Sequence, residues 1–387
     1  MGKEVIAPNI RRIRSFKGLT QSKVAEDARI SISAYRKIEI GKSVPRADTL
    51  QAIAGSLGVN IQKLVAPILT LSEVRFRALK KMTAREQILV DVAAWLQNYK
   101  ELEALLGSEE LYKLAGVVAD LQQNGQLSDD SFEAAIQVAG KAREVLNVHP
   151  GEVIRDICGL LESAGIKVLP YDFTSDSFFG LSVGIGDGGP AIVVNINRRM
   201  PVERWIFSAF HELGHLLLHM DAFDVNKRVE DDAQEKEANL FASYFLMPDN
   251  LFKSEWKNAY GLGLVRRVLK VKRIFKVSYG TVLHRLIEHG ADKSIWAKYH
   301  WQFKQITGRS LGGKVEPLPI EPKEFAEVRS ADEAANLLPE DFIPDRLYRL
   351  VRIAVNKEVI SLSRAAEILR LDLSEMRELS KSWVDCE

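Results

Sequence analysis

Five residues, His211-Glu212-Leu213-Gly214-His215, constrain this chain of 387 residues more than any other stretch. They lie in the apolar run Ser208-Ala209-Phe210-His211-Glu212-Leu213-Gly214-His215-Leu216-Leu217-Leu218-His219, which predicts a buried helix. Residues four apart share a helix face, so the two imidazoles point the same way. Such a pair can grip one zinc ion, with the intervening carboxylate of Glu212 beside it as general base. The competing reading is a pair of core histidines satisfied by neighbours, but Leu217 and Leu218 leave them little polar company.

A zinc ion so held needs a third protein ligand. One known pattern would put glycine at position 218 and histidine at 221; the chain has Leu218 and Asp221. His219 lies about 12 Å along a straight helix from His211, too far to share an ion. Asp221 stays open if the helix stops just before it. The downstream stretch from Asp231 to Pro248 also reads as a helix. There Glu235 shares a face with Ala238, Asn239, Ala242, Phe245 and Leu246, the stripe that should pack inward. Glu237 points roughly 160–200° away and is expected in solvent. The helical geometry therefore favours Glu235 as the ligand. Asn239, one turn on, is placed to hydrogen-bond a ligand from behind. Ala238 and Ala242 are small enough to let the two helices approach. Tyr244, Tyr279 and His284 remain unranked candidates for stabilising an oxyanion.

Upstream, His149-Pro150-Gly151 opens this part of the chain, followed by a helix near 151–164. Strands are expected at 166–169, 179–183 and 191–195, the last two joined by a glycine-rich turn. A small sheet against the zinc helix is the simplest packing. One edge of such a sheet can hold an extended substrate by strand addition.

Taken together, Ala191-Ile192-Val193-Val194-Asn195, the zinc-helix run, Glu235-Lys236-Glu237-Ala238-Asn239-Leu240-Phe241-Ala242 and Leu246-Met247-Pro248 resemble the ImmA/IrrE-type zinc metallopeptidases over roughly residues 150–290. The resemblance implies His211, His215 and Glu235 as ligands of one Zn2+ per chain, and Glu212 as acid and base. It also implies a helix-turn-helix repressor as the protein substrate, cut in a bacterial stress or mobile-element response.

The N-terminus has a different character. Residues 1–66 hold twelve Lys and Arg against five Asp and Glu, a net of +7 in a chain whose total is +1. A basic module on a mildly acidic remainder points to nucleic acid. Thr20-Gln21-Ser22-Lys23 opens a short helix, a turn follows near Arg29-Ile30, and Ser31 to Glu39 reads as a second helix ended by Gly41. Pro45 precedes a further helix with Leu50, Ile53, Ala54 and Leu57 at core spacing. This order resembles the Xre/lambda-repressor-like helix-turn-helix domain over about residues 9–66. The resemblance assigns DNA contacts to Gln21, Ile32, Ser33, Arg36 and Lys37. One departure is Arg29, where such domains often have glycine to allow a left-handed backbone.

The expected fold is α+β and mostly helical. It comprises a five-helix helix-turn-helix domain (1–66), a helical connector (67–148), a zincin-like peptidase domain with a small sheet (149–290) and a C-terminal helical module (291–387). Thr83-Ala84-Arg85-Glu86 reads as a capping box inside the connector. Residues 362–369 weakly resemble part of a second helix-turn-helix, and plain helical packing is the better reading. Cys158 and Cys386 make neither a metal pattern nor a disulfide framework. With no leader and no bilayer-length apolar run, a cytoplasmic location is expected, away from membranes. The expected partners are DNA and a protein substrate, with a homodimer if the N-terminal module reads a palindrome. An alternative keeps the DNA-binding regulator and makes its zinc domain sensory or structural.

Overall fold

The computed structural model of the chain describes residues 3–78, 84–174, 178–226, 231–312, 316–317 and 337–383. Among these are eighteen α-helices and one four-stranded sheet, the mostly helical α+β class that was expected. Two compact units emerge. One holds residues 1–72 and 80–99; the other holds 73–79 and 100–387. The division runs through the expected 67–148 connector rather than along its ends.

The first unit begins with five helices: α1 (Lys3–Phe16), α2 (Gln21–Asp27), α3 (Ile32–Glu39), α4 (Ala47–Ser56) and α5 (Gln62–Val65). Their apolar faces close on one core of Ile10, Val24, Tyr35, Ile53, Leu57 and Leu64. Side-chain caps set the helix starts. Thr20 Oγ1 accepts from the Lys23 amide and Ser31 Oγ from the Ala34 amide, each at 3.1 Å. Between α2 and α3 the chain turns through Arg29 at φ 55°, the left-handed conformation that glycine adopts most easily. Arg14 on α1 then forks onto the Glu39 carboxylate at the end of α3, at 2.6 and 3.0 Å. Burial alone would push the Glu39 carboxyl up, but its bond to Arg14 holds it below the usual value.

In the second unit the strands are β1 (Val74–Ala78), β2 (Lys167–Tyr171), β3 (Phe178–Val183) and β4 (Ala191–Asn195), in the order β1-β3-β4-β2. β2 and β4 run parallel; β3 is antiparallel to both β4 and β1. β1 departs from the all-helical reading of 67–148. Its partner lies about a hundred residues away, and only that pairing satisfies its backbone. The expected capping box at Thr83 lies outside the described residues, as does Cys386; Cys158 is buried as a free thiol.

α6 (Arg85–Leu106) begins in the first unit and ends in the second. α7 (Val117–Gln123) and α8 (Ser131–Val145) precede α9 (Ile157–Ser163). α9 starts later than the expected 151, because Asp156 caps the amide of Gly159 at 2.8 Å. α10 (Val202–Leu218) lies across β3 and β4, and α11 (Asp232–Leu246) packs on α10 and α8. Arg143 of α8, itself buried, donates to the Phe245 carbonyl at 2.7 Å. α12 (Asp249–Asn258), α13 (Leu264–Phe275), α14 (Tyr279–Glu288) and α15 (Ile295–Thr307) extend the same core. The C-terminal helices are α16 (Arg346–Asn356), α17 (Leu362–Leu369) and α18 (Leu373–Lys381). Arg346 donates to buried Glu103 at 2.6 Å, and Lys167 meets the other oxygen of that carboxylate at 3.2 Å.

Candidate metal centre

Three side chains from two helices meet at one point. The Nε2 atoms of His211 and His215 are 2.9 Å apart. Glu235 reaches both, with Oε2 at 3.2 Å from His211 Nε2 and Oε1 at 3.2 Å from His215 Nε2. A tetrahedral zinc ion with bonds of about 2.0–2.2 Å separates its ligand atoms by roughly 3.3–3.5 Å. Two imidazole nitrogens and a carboxylate suit zinc in kind, their separations of 2.9–3.2 Å need widen only by a few tenths of an ångström to hold it, and a fourth position would remain for water. Both histidines are wholly buried.

Close helix packing creates this convergence. A side chain at Gly214 would bring its first carbon to 3.2 Å from Ala238 Cα and 3.1 Å from the Phe241 ring. With hydrogen there instead, α11 settles onto α10 and carries Glu235 to the histidines. Gly180 does the same on the sheet side. A Cβ there would fall 3.0 Å from Glu212 Oε1 and 2.8 Å from the Val193 carbonyl. Glu212 itself is fully buried, and the Ser182 hydroxyl of β3 donates to its Oε2.

Hydrogen bonds behind the imidazoles orient them. His211 Nδ1 donates to Asn239 Oδ1 at 2.8 Å, which puts the ring proton on Nδ1 and makes Nε2 the nitrogen able to ligate a metal. His215 Nδ1 lies 2.9 Å from His219 Nδ1, and His219 Nε2 lies 2.7 Å from Glu237 Oε2. One direction of donation satisfies the whole row: His215 to His219, His219 to Glu237. Burial holds the His215 and His219 imidazoles below their ordinary values, against the opposing pull of Glu235 and Glu237. A neutral ring is the form that ligates a metal. Burial would raise the Glu235 carboxyl, but its nearness to the His211 and His215 imidazoles outweighs this and holds it below its ordinary value.

Glu237 corrects the helical-wheel reading. Only 15% of its side chain is exposed, because α10 ends at Leu218 and His219, at φ −133° and ψ 24°, leaves the helical path and meets Glu237 with its ring. His219 is thus a support for His215. Asp221 sits in a short 3-10 turn and does not join the three-residue cluster. The three oxyanion candidates are engaged elsewhere. Tyr244 Oη reaches Glu288, Tyr279 Oη reaches His300, and the His284 ring packs on Trp296.

Sequence reasoning missed Arg75. From β1 it donates to Gln234 at 2.6 Å and to Glu235 Oε1 at 3.0 Å, with only 9% of its side chain exposed. Ser182 was also missed. No local pattern marks either, since their partners lie 160 and 30 residues away.

On the N-terminal unit, Ser33, Arg36 and Lys37 stand exposed on α3, while Ile32 is half-buried against the core. Gln21, the first residue of α2, accepts from Arg36 Nε at 3.2 Å, so two of the expected DNA contacts are tied together.

Residues 161–287 match the family of the IrrE N-terminal-like domain, Peptidase M78, and residues 8–67 match a helix-turn-helix domain family. No curated protein matches the chain. Two solved structures align with it. One is Bacillus thuringiensis PlcR in complex with the peptide PapR7 and DNA, at 15% identity over 99% of each chain with a TM-score of 0.17. The other is the apo form of ComR from S. thermophilus, at 12% identity over 78% of this chain and 92% of that one, with a TM-score of 0.16. No helix among the described residues is long and apolar enough to cross a membrane.

Proposed function

We propose that this chain, which carries a helix-turn-helix domain and an IrrE-like peptidase domain, is a DNA-binding regulator that hydrolyses a protein substrate using one bound zinc ion. The observation that carries this reading is the convergence of His211, His215 and Glu235, with Glu212 buried on the same helix. A purely structural metal needs no such carboxylate beside it. The substrate we assign is a helix-turn-helix repressor, met in the cytoplasm where it works.

When bound, zinc lowers the pKa of a coordinated water and polarises the scissile carbonyl. His211, His215 and Glu235 would hold it. Glu212 accepts a proton from the attacking water and later returns it to the departing amine. Ser182 fixes the Glu212 carboxylate for that transfer, and Asn239 and His219 keep the imidazoles from turning. Gln21, Ile32, Ser33, Arg36 and Lys37 would meet DNA, with Arg36 and Lys37 supplying phosphate attraction that weakens with salt.

The test is Glu212→Gln in the full-length chain. It is expected to keep zinc, by metal analysis, and to keep DNA binding, while cleavage of a repressor encoded beside it is lost. Unchanged cleavage in this variant sinks the hydrolytic role. Unchanged gene control in the absence of cleavage leaves a regulator with a sensory zinc domain.

A further inference from the structure

β3 is the strand that faces the candidate centre, through Ser182 and Gly180. One edge of β3 pairs with β4. The other edge is the one to which an extended polypeptide would add as a strand. In this chain that edge is already taken, by five residues of the chain itself. β1 runs antiparallel to it in the register Val74↔Val183, Arg75↔Ser182, Phe76↔Leu181. Arg75 therefore stands directly opposite the residue that holds Glu212. Its guanidinium ends on Glu235 Oε1, the oxygen that also faces His215. On the other face Phe76 stacks on Phe178 at 5.2 Å.

We propose that β1 is a built-in pseudosubstrate: it occupies the peptide-binding edge of β3, anchored by Arg75 on Glu235, and must leave before an extended substrate strand can pair there. The substrate class follows from the occupant. It is an extended segment of β-forming residues with a basic side chain directed toward Glu235, in the manner of Val74-Arg75-Phe76. This rests on the peptidase reading and adds to it what the cleft accepts and what keeps it shut.

The anchorage of β1 suits a part that opens. Its residues belong to the second unit, yet the chain reaches it from the first unit at residue 72 and is in the first unit again at residue 84. At the near end, Glu73 ties β1 to the turn after β3. The Glu73 carbonyl and carboxylate accept from the amides of Gly184 and Gly186 at 2.8 Å each. Beyond that tie the strand is five residues long, broken by a register shift between Arg77 and Ala78, and forms the sheet edge. A short edge strand, paired along one side only, is among the parts of a sheet that open most easily.

The test uses the full-length chain, metal-loaded and metal-free, and a fluorescein-labelled peptide with the sequence of residues 72–80. Binding is read by anisotropy, independently of turnover. Two variants are compared with the parent. Arg75→Ala removes the anchor and should tighten peptide binding roughly tenfold by raising the open fraction. Val74→Cys with Val183→Cys places two thiols at directly opposed positions; oxidised, it should abolish peptide binding, and reduction should restore it. Hydrogen exchange over residues 74–78 should quicken in Arg75→Ala. Equal peptide affinity in the parent, Arg75→Ala and the oxidised pair overturns the proposal, as does exchange in β1 as slow as in β4. If the peptide binds as expected but no protein is cut, the hydrolytic reading fails and the strand-exchange proposal stands. If a repressor is cut equally by locked and unlocked protein, the reverse holds.

Discussion

His211 and Asn239 meet across two helices, ring Nδ1 to amide Oδ1 at 2.8 Å, though they stand twenty-eight positions apart in the chain. This bond aims Nε2 at the point where His215 and Glu235 also converge. Asn239→Ala should weaken zinc affinity by about 10–100-fold, the usual effect of removing such a partner. Far-UV circular dichroism should be unchanged. Asn239→Asp, which still accepts from Nδ1, should recover most of the loss. Competition with a fluorescent chelator measures all three; equal affinities would show the bond to be incidental.

Gly214 tests the helix packing behind the site. Gly214→Ala adds a carbon 3.1 Å from the Phe241 ring and 3.2 Å from the backbone of Ala238, so α11 has to shift to admit it. The expected cost is about 1–3 kcal/mol, as for other overpacked cores. Zinc affinity should fall with it, since α11 carries Glu235. Urea unfolding and chelator competition read the two effects, and a full-strength site in the alanine variant would contradict the packing account.

A pH effect should appear at Glu162. Burial pushes its carboxyl up to about 7, against the opposing amide bonds from Arg346 and Asp345 at 3.1 Å. Because the folded value is raised above the ordinary 4.5, this group contributes most stability below that pH. Its contribution is lost as pH rises through about 7. The full swing is of order 3 kcal/mol. Urea unfolding at pH 5 and pH 8 should therefore show a larger drop in the parent than in Glu162→Gln, which accepts from the same amides without titrating. Parallel curves would remove Glu162 from the account.

Arg29 holds a backbone conformation that side chains disfavour, φ 55°. Arg29→Gly should leave the helix-turn-helix unit as stable or up to about 1 kcal/mol more stable, relief of strain competing with a freer unfolded chain. Arg29→Val should cost about 1–2 kcal/mol, because a branched carbon worsens the clash. Thermal unfolding of the two variants checks the order.

What could be read in advance follows the range of each interaction. The zinc-helix motif and the inward stripe of Glu235, Ala238 and Ala242 are local periodicities, and the structure brings those side chains together. The helix-turn-helix was legible for the same reason, through caps at Thr20 and Ser31 and a basic composition. β1 was not. Val74-Arg75-Phe76-Arg77-Ala78 alternates as a strand should, but it is short and basic, and its partner strand lies beyond position 177. Glu237 was misjudged because a helical wheel knows nothing of the neighbouring helix's end, where His219 bends back to meet it. Long-range ion pairs such as Arg75 with Glu235, or Arg346 with Glu103, have no signature at all in a linear pattern.

β1 also bears on how this polypeptide can be taken apart. A fragment begun between residue 84 and the family boundary at 161 carries a three-stranded sheet whose outermost strand has raw amides and carbonyls. Such a fragment is liable to stick to itself through that exposed ribbon. Adding a synthetic copy of the missing segment should keep it in solution, making complementation by two pieces the practical route to crystals of the IrrE-like part.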